Sequence, residues 1–261
     1  MEVIEIGYTE LLLATGFVVV AAGLSLALSL GFVKSLLIAT VRTYLQLFAL
    51  GFALRWVFGV DSAWLVLGIV SLMMIMGAHT ALGRARGAPP GIFLRVLDAV
   101  FISGVTVSFA VTALVIRVDP WYKAQYVLPI AGMVVGNSMT GLSLGLERLF
   151  SDLRKRADEI HTLLALGATP WEASRDSVRT ALRAGLTPVI NSMSAVGIVF
   201  IPGMMTGQIL AGADPGVAAR YQIVVMLMIA AATALGASLA VLTTFRKAYD
   251  SEMRFILGEK E

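Results

Sequence analysis

The chain has no cysteine and only two histidines, and 14% of its 261 residues are charged. Without cysteine there is no disulfide framework, thiolate metal site or cysteine nucleophile. With the histidines far apart and no clustered nucleophile, base or ligand set, the sequence gives no basis for an enzyme. There is no Gly-x-x-x-x-Gly-Lys-Ser/Thr loop, so the chain cannot cradle ATP phosphates, and no cofactor is expected on it. Lys and Arg number 20 against 17 Asp and Glu, but no basic patch interleaved with aromatics forms, which argues against nucleic acid. Glu2, Glu5 and Glu10 stand where a cleavable signal peptide would carry basic residues, so the first apolar run is expected to be a retained span.

Hydrophobic residues make up 58% of the chain and the mean hydropathy is +0.85. A soluble core of this size could not hide so much apolar surface, so the solvent must be a membrane. The apolar runs are continuous rather than alternating with period two, which selects helices over a barrel. Candidate spans fall at 11–33, 36–58, 63–82, 96–116, 127–146, 189–210 and 221–245. The expected fold is therefore an all-α, polytopic membrane protein with about seven transmembrane helices in one domain, residues 1–261. Arg42 and Gln46 interrupt the first half of the second span, which reads as starting in the interface or as facing a polar bundle interior; snorkelling to the interface is favoured over a pathway role.

With seven spans and the N-terminus outside, all but Arg55, Arg117, Lys123 and Arg220 of the 20 basic residues fall on the C-terminal side, Lys34, Arg84 and Arg86 among them. The positive-inside rule then puts the C-terminus in the cytoplasm and Asp61, Asp119 and Asp214 outside, in a cell inner membrane. Residues 148–187 are too charged to span and form the one sizeable cytoplasmic feature, a hairpin. Leu149, Leu153, Ala157, Ile160 and Leu164 are spaced for an amphipathic helix continuing from the fifth span. Gly167 suits its C-terminus, Thr169 an N-cap and Pro170 the first position of the next helix. That second helix is expected to run from Trp171 to Leu186, before Pro188 introduces the sixth span.

The stretch Leu164-Ala165-Leu166-Gly167-Ala168-Thr169-Pro170-Trp171-Glu172-Ala173, followed by Val178, Leu182 and Thr187-Pro188-Val189-Ile190, resembles the EAA loop of ABC permeases. His161 stands where that motif starts with Glu, with Glu159 two residues earlier. The resemblance implies that Leu166, Gly167, Ala168, Thr169, Pro170, Trp171 and Glu172 form a coupling helix that docks on an ATPase. Val134-Val135-Gly136-Asn137-Ser138-Met139, the run from Ile201 to Gly212, Tyr221-Gln222-Ile223-Val224-Val225-Met226 and Val41-Arg42-Thr43-Tyr44-Leu45-Gln46-Leu47 are similar to the FetB/YbbM permease family, which includes plant aluminium-sensitive proteins. This implies a permease exporting iron or another metal, with ATP and Mg on a separately encoded ABC ATPase. Twofold preference adds a permease homodimer in a two-plus-two complex. An ion-gradient-driven secondary transporter or channel with a lipid-binding loop is the alternative.

Polar groups inside spans mark candidate pathway residues. Asn137 and Ser138 lie in the fifth span and Asn191, Pro202, Gly203, Met204, Met205, Thr206 and Gln208 in the sixth, where Pro202-Gly203 reads either as a kink or as a substrate-site break. Interhelical hydrogen bonding is the plainer role for the amides and hydroxyls. His79, Asp98 and Glu147 are the candidate metal ligands, all toward the cytoplasmic face, although Asp98 also has Arg95 as a potential partner. The twelve methionines, with Met73, Met74, Met76, Met204 and Met205 grouped, suggest either a soft-metal path or flexible packing.

Overall fold

The computed structural model describes residues 6–60, 62–85 and 87–257. Glu2, Glu5, Asp61 and Arg86, invoked above for topology, lie outside the described residues. Nine α-helices follow one another among the described residues, with no named strand. The chain divides into two compact units, one holding the first two helices and the other the rest.

In the first unit, α1 (Tyr8–Ala27) and α2 (Val33–Val57) are continuous helices. Arg42 and Gln46 do not interrupt α2, because a lone polar side chain changes what a helix faces and not its backbone bonds. The pair is tied by Thr15, whose hydroxyl lies 2.7 Å from the Tyr44 hydroxyl, and by Tyr44 donating to the Leu11 carbonyl at 2.9 Å.

The second unit contains α3 (Ala63–Arg84), α4 (Phe93–Phe109, extended by a π-helical segment Ala110–Val115), α5 (Ala124–Lys155), α6 (Ala157–Ala165), α7 (Pro170–Ala195), α8 (Gly203–Leu210) and α9 (Pro215–Thr244, followed by a 3₁₀ turn Phe245–Ala248). Side-chain caps set two of the starts: Ser62 accepts from the Leu65 amide at 3.4 Å, and Asp214 from the Val217 amide at 3.0 Å just before Pro215. Helix α5 is the hub, packed against α3, α4, α7 and α9. Its glycines make this possible. A Cβ on Gly141 would sit 2.7 Å from the Gly185 carbonyl oxygen, and one on Gly185 would sit 2.7 Å from that of Gly141, so α5 and α7 cross with their backbones in contact. Lipid is as apolar as any core, so such close backbone approach, rather than hydrophobic burial, holds membrane helices together.

Among the described residues, six helices are long and apolar enough to cross a membrane: α1, α2, α3, α4 with its π segment, α5, and α9 with its 3₁₀ turn. The protein is thus an all-α, polytopic membrane protein. The expected sixth span over 189–210 is not one helix: it is interrupted between α7 and α8, beside the Pro202-Gly203 pair for which a kink or a break was expected. Helix α7 ends at Ala195; Gly197 takes a positive φ of 81° and donates to the Phe200 carbonyl at 2.9 Å, and α8 starts only after Pro202. Proline has no amide hydrogen and pushes the preceding residue out of the helical region, so Ile201-Pro202 cannot continue α7.

Two other boundaries also differ from expectation. Pro188 lies inside α7 and opens no new helix, so the hairpin's return arm and the next membrane-directed segment are one rod. Only one backbone bond, to the Ala184 carbonyl, is given up there. The hairpin's outgoing arm is not continuous with α5: the helix breaks at Arg156, whose φ of −100° and ψ of 17° leave the α region, before α6 begins.

Candidate functional site

The first candidate site is the elbow between α6 and α7. The amide of Gly167 donates to the Leu164 carbonyl and that of Ala168 to Leu163, both at 3.0 Å, a Schellman closure in which Gly167 sits at φ 90°. Two residues later Thr169 caps α7. Its hydroxyl oxygen accepts from the Glu172 amide at 3.3 Å, while a Glu172 carboxylate oxygen accepts from the Thr169 amide at 2.8 Å and its hydroxyl at 2.7 Å. The amides of Gly167, Ala168, Thr169 and Glu172 are all paired as one helix stops and the next starts, which fixes the shape of the elbow. Leu166 is 80% exposed at its tip and Trp171 is 44% exposed beside it.

The Glu172 carboxyl is held below the usual carboxylate range by the Thr169 backbone amide and then by the Thr169 hydroxyl. Because its folded pKa is depressed, the stabilisation it confers is complete above the unfolded value and is lost as pH falls through the folded one. Thr169→Ala should weaken the first turn of α7 by about 1 kcal/mol. Faster amide hydrogen exchange at Trp171, Glu172 and Ala173, corrected for intrinsic rate, is the readout, and acidification of the wild type should reproduce part of that loss.

The elbow is braced from two sides. Arg156, at the α5–α6 break, contacts Glu159 at 2.7 Å, Asp176 at 3.7 Å and the Ser177 hydroxyl at 3.2 Å, so it ties α6 to α7. Its hydrogen bond to Glu159 raises the guanidinium pKa; burial opposes this, and the charges of Glu159, Asp152 and Asp176 add smaller upward pushes. From the C-terminal side, Trp171 meets Phe245 edge-on at 5.6 Å, the Ser174 and Tyr249 hydroxyls lie 2.5 Å apart, and Phe255, 2% exposed, packs edge-on against Tyr249 and His161. Burial pushes the Tyr249 phenol up, opposed by the Ser174 bond. Asp250 and Arg254 close the small turn that carries Phe255, with a 2.7 Å ion pair. Sequence reading missed this C-terminal brace. Its only signal was Phe245, Tyr249 and Phe255 placed in an otherwise charged tail.

The second candidate site is a cavity of about 400 Å³ between α5, α7, α9 and the 196–203 turn. Asn137, Thr140, Ser192, Gln222 and Thr233 supply its polar lining, and Met133, Met204 and Met226 its sulfur. No charged residue lines it. A second cavity of about 510 Å³ continues along α5 and α9 past Tyr126, Gln208 and Tyr221. Met133, Met204 and Val225 line both, so the two methionines stand at the junction. Three oxygens on this route are buried without a hydrogen-bond partner: Oε1 of Gln222, Oγ1 of Thr233 and Oε1 of Gln208.

Of the pathway residues expected from sequence, Asn137, Pro202, Gly203 and Met204 line the first cavity and Gln208 the second. Asn137 donates to the Met133 carbonyl at 2.8 Å, which leaves its own carbonyl oxygen open. Ser138 is buried on another face of α5, beside Gly236 of α9, with its hydroxyl unpartnered. Asn191 and Thr206 are exposed and line neither cavity, and Met205 faces a separate groove beside α9. Gln222, Thr233, Met133 and Met226 were missing from the expected set. An i, i+4, i+11 spacing puts Gln222, Met226 and Thr233 on one face of α9, the signal that could have found the three on that helix.

The expected metal ligands do not converge. His79, Asp98 and Glu147 stand on α3, α4 and α5, and no group of three His, Asp or Glu side chains within metal-binding reach exists among the described residues. Arg95 donates to the Thr243 carbonyl and makes no ion pair with Asp98 among the described residues.

A family model described as the uncharacterised protein family UPF0014 matches residues 8–249, nearly the full length. The chain belongs to UPF0014. Among relatives, the UPF0014 membrane protein slr1647 of Synechocystis is 34% identical over 97% of this chain and 98% of its own. The protein ALUMINUM SENSITIVE 3 of Arabidopsis thaliana is 36% identical over 83% and 78%, and the "Probable iron export permease protein FetB" of Escherichia coli is 33% identical over 96% and 95%. The UPF0014 match therefore spans the elbow and both cavities, and the resemblance to FetB-like permeases holds across the chain. No solved structure matches it.

Proposed function

We propose that this UPF0014 protein is the membrane-spanning permease subunit of an ABC-type transporter that exports iron or another metal, driven by a separately encoded ATPase. The observation that carries the reading is the elbow at 166–172: a Schellman turn joined to a capping box, with Leu166 and Trp171 exposed, continuous with α7. A motor pushing on that turn moves the whole rod, because Pro188 does not break it. The far end of the rod borders the first cavity at Val189 and Ser192, so force at one end reaches the cavity wall at the other. The name of the Escherichia coli relative supports a metal cargo.

In this reading the elbow is cytoplasmic, the N-terminus is outside, and the α7–turn–α8 segment completes a seventh, discontinuous crossing that keeps the charge bias of the loops consistent. Pairing through twofold symmetry builds a two-plus-two complex, with ATP and Mg bound on the partner. Extraction from native membranes in mild detergent, followed by affinity purification and mass spectrometry, tests the reading. An ABC ATPase should be recovered in roughly equal amount with the permease. Its consistent absence, together with gradient-driven flux in liposomes lacking ATP, would establish the secondary transporter or channel instead.

A further inference from the structure

The donor chemistry along the two cavities is uniform in one respect: it is neutral. The first is lined by amides, hydroxyls and thioethers, with no Asp, Glu, His, Lys or Arg. The second adds Gln125, Gln208, Tyr126 and Tyr221, also uncharged. Inside a membrane protein the desolvation penalty of an ion grows with the square of its charge, about fourfold for a dication and about ninefold for a trication relative to a monovalent ion of the same size. Without a carboxylate nothing here offsets that penalty for a hard, multiply charged cation, which also prefers oxygen anions and water to thioethers. A soft monovalent cation meets the opposite conditions. Thioether sulfur is its favoured donor, and two sulfurs are enough for a low-coordinate ion.

The methionines line the place where the two cavities adjoin, at the edge of the apolar core. Met133 of α5 and Met204 of α8 line both cavities at their junction, and Met226 of α9 lines the first. On one side of the junction stands Gln222, 7% exposed, with an unpartnered Oε1; deeper in the same cavity is Thr233, 2% exposed, with an unpartnered Oγ1. On the other side is Gln208, whose Oε1 is also buried and unpartnered. Buried acceptors without donors are costly in a protein interior and call for a ligand, ion or water. Two methionines shared by adjoining cavities, with a neutral amide in each cavity, offer a series of weak donors, and weak multiple sites let an ion enter and leave. Methionine's flexible side chain allows the pair to close on an ion much smaller than the cavity and reopen behind it.

We propose that the junction of Met133 and Met204, flanked by Gln222 and Gln208, is a transit site for a soft monovalent metal ion of the copper(I) or silver(I) class. This rests on reading the cavities as the transport path, and it narrows the cargo of that path from metals in general to soft, singly charged ones.

Purified full-length protein in detergent or nanodiscs, titrated by calorimetry with Ag⁺ and, under anaerobic conditions, with Fe²⁺, provides the test. Wild type should bind Ag⁺ saturably and more tightly than Fe²⁺. The double variant Met133→Leu/Met204→Leu, close to isosteric and checked for an unchanged melting temperature, should lose one equivalent of Ag⁺ or bind it at least about tenfold more weakly. Met73→Leu/Met76→Leu, outside both cavities, should leave that equivalent intact. Gln222→Leu gives a second handle if the double variant is poorly folded, with a smaller loss expected. Unchanged Ag⁺ binding in both the double variant and Gln222→Leu overturns the proposal, as does tighter Fe²⁺ binding that survives removal of both sulfurs. None of these titrations involves the ATPase, so the cargo assignment can fail while the permease reading stands, and the converse holds when no ATPase co-purifies.

Discussion

Gly185→Leu is expected to prevent assembly of the α5–α7–α9 bundle. The Cβ alone would lie 2.7 Å from the Gly141 carbonyl oxygen and 3.5 Å from the Ala237 Cβ, and the contact on α5 is backbone, which cannot rotate away. Overpacking a core typically costs about 1–3 kcal/mol when side chains can yield. Here the helices must separate, which would also strip the neighbouring contacts at Gly145 and Ala181. The expected result is loss of monodisperse protein after detergent extraction, or a fall of many degrees in melting temperature. Gly136→Ala, on the partner helix α5 and with nothing within 4 Å of its added Cβ, is the control and should be neutral or slightly stabilising. Equal behaviour of the two variants would mean that α5 and α7 do not cross at Gly141 and Gly185.

Gly167→Pro should act on function and spare the bundle. Gly167 sits at φ 90°, which proline, held near −65°, cannot adopt, and its amide donates to the Leu164 carbonyl, a bond proline cannot make. The elbow must therefore take another shape, at a local cost of about 3 kcal/mol. A Cβ at this position meets no atom within 4 Å, so the damage should stay in the turn. Under the proposed mechanism, ATP-dependent transport should drop by about tenfold or more, while membrane insertion and the bundle's melting temperature stay near wild type. Gly167→Ala, strained by about 1–2 kcal/mol at positive φ, should fall between the two. Wild-type transport and ATP turnover in the proline variant would remove the elbow from the mechanism.

Much of the architecture was legible in the residues because membrane helices announce themselves by uninterrupted hydropathy, as the runs that became α1, α3 and α9 did. The elbow was legible because Gly167, Thr169, Pro170 and Glu172 each have a local conformational reason to be there, and capping and φ preferences act within four residues. The sixth span was misread because hydropathy is blind to backbone continuity: Val196 to Ile201 is as apolar as any helix, yet Gly197 and Pro202 turn it into a loop. Pro188 was misread in the other direction, since a single proline removes one bond and the packed helix around it tolerates the loss. His79, Asp98 and Glu147 looked alike in sequence as polar groups at the edges of spans, but their helices keep them apart.

The solvent, the helical class and the shape of the elbow follow from the residues alone, because each depends on composition or on residues within a turn of one another. Packing between helices set that Gly141 meets Gly185, that Phe255 and Tyr249 brace the elbow, and that Met133 and Met204 line two cavities, with Gln222 in one and Gln208 in the other. Those residues are separated by tens of positions and sit on different helices. Which faces meet is set by where backbones can approach most closely, and that is a property of the packed helices together.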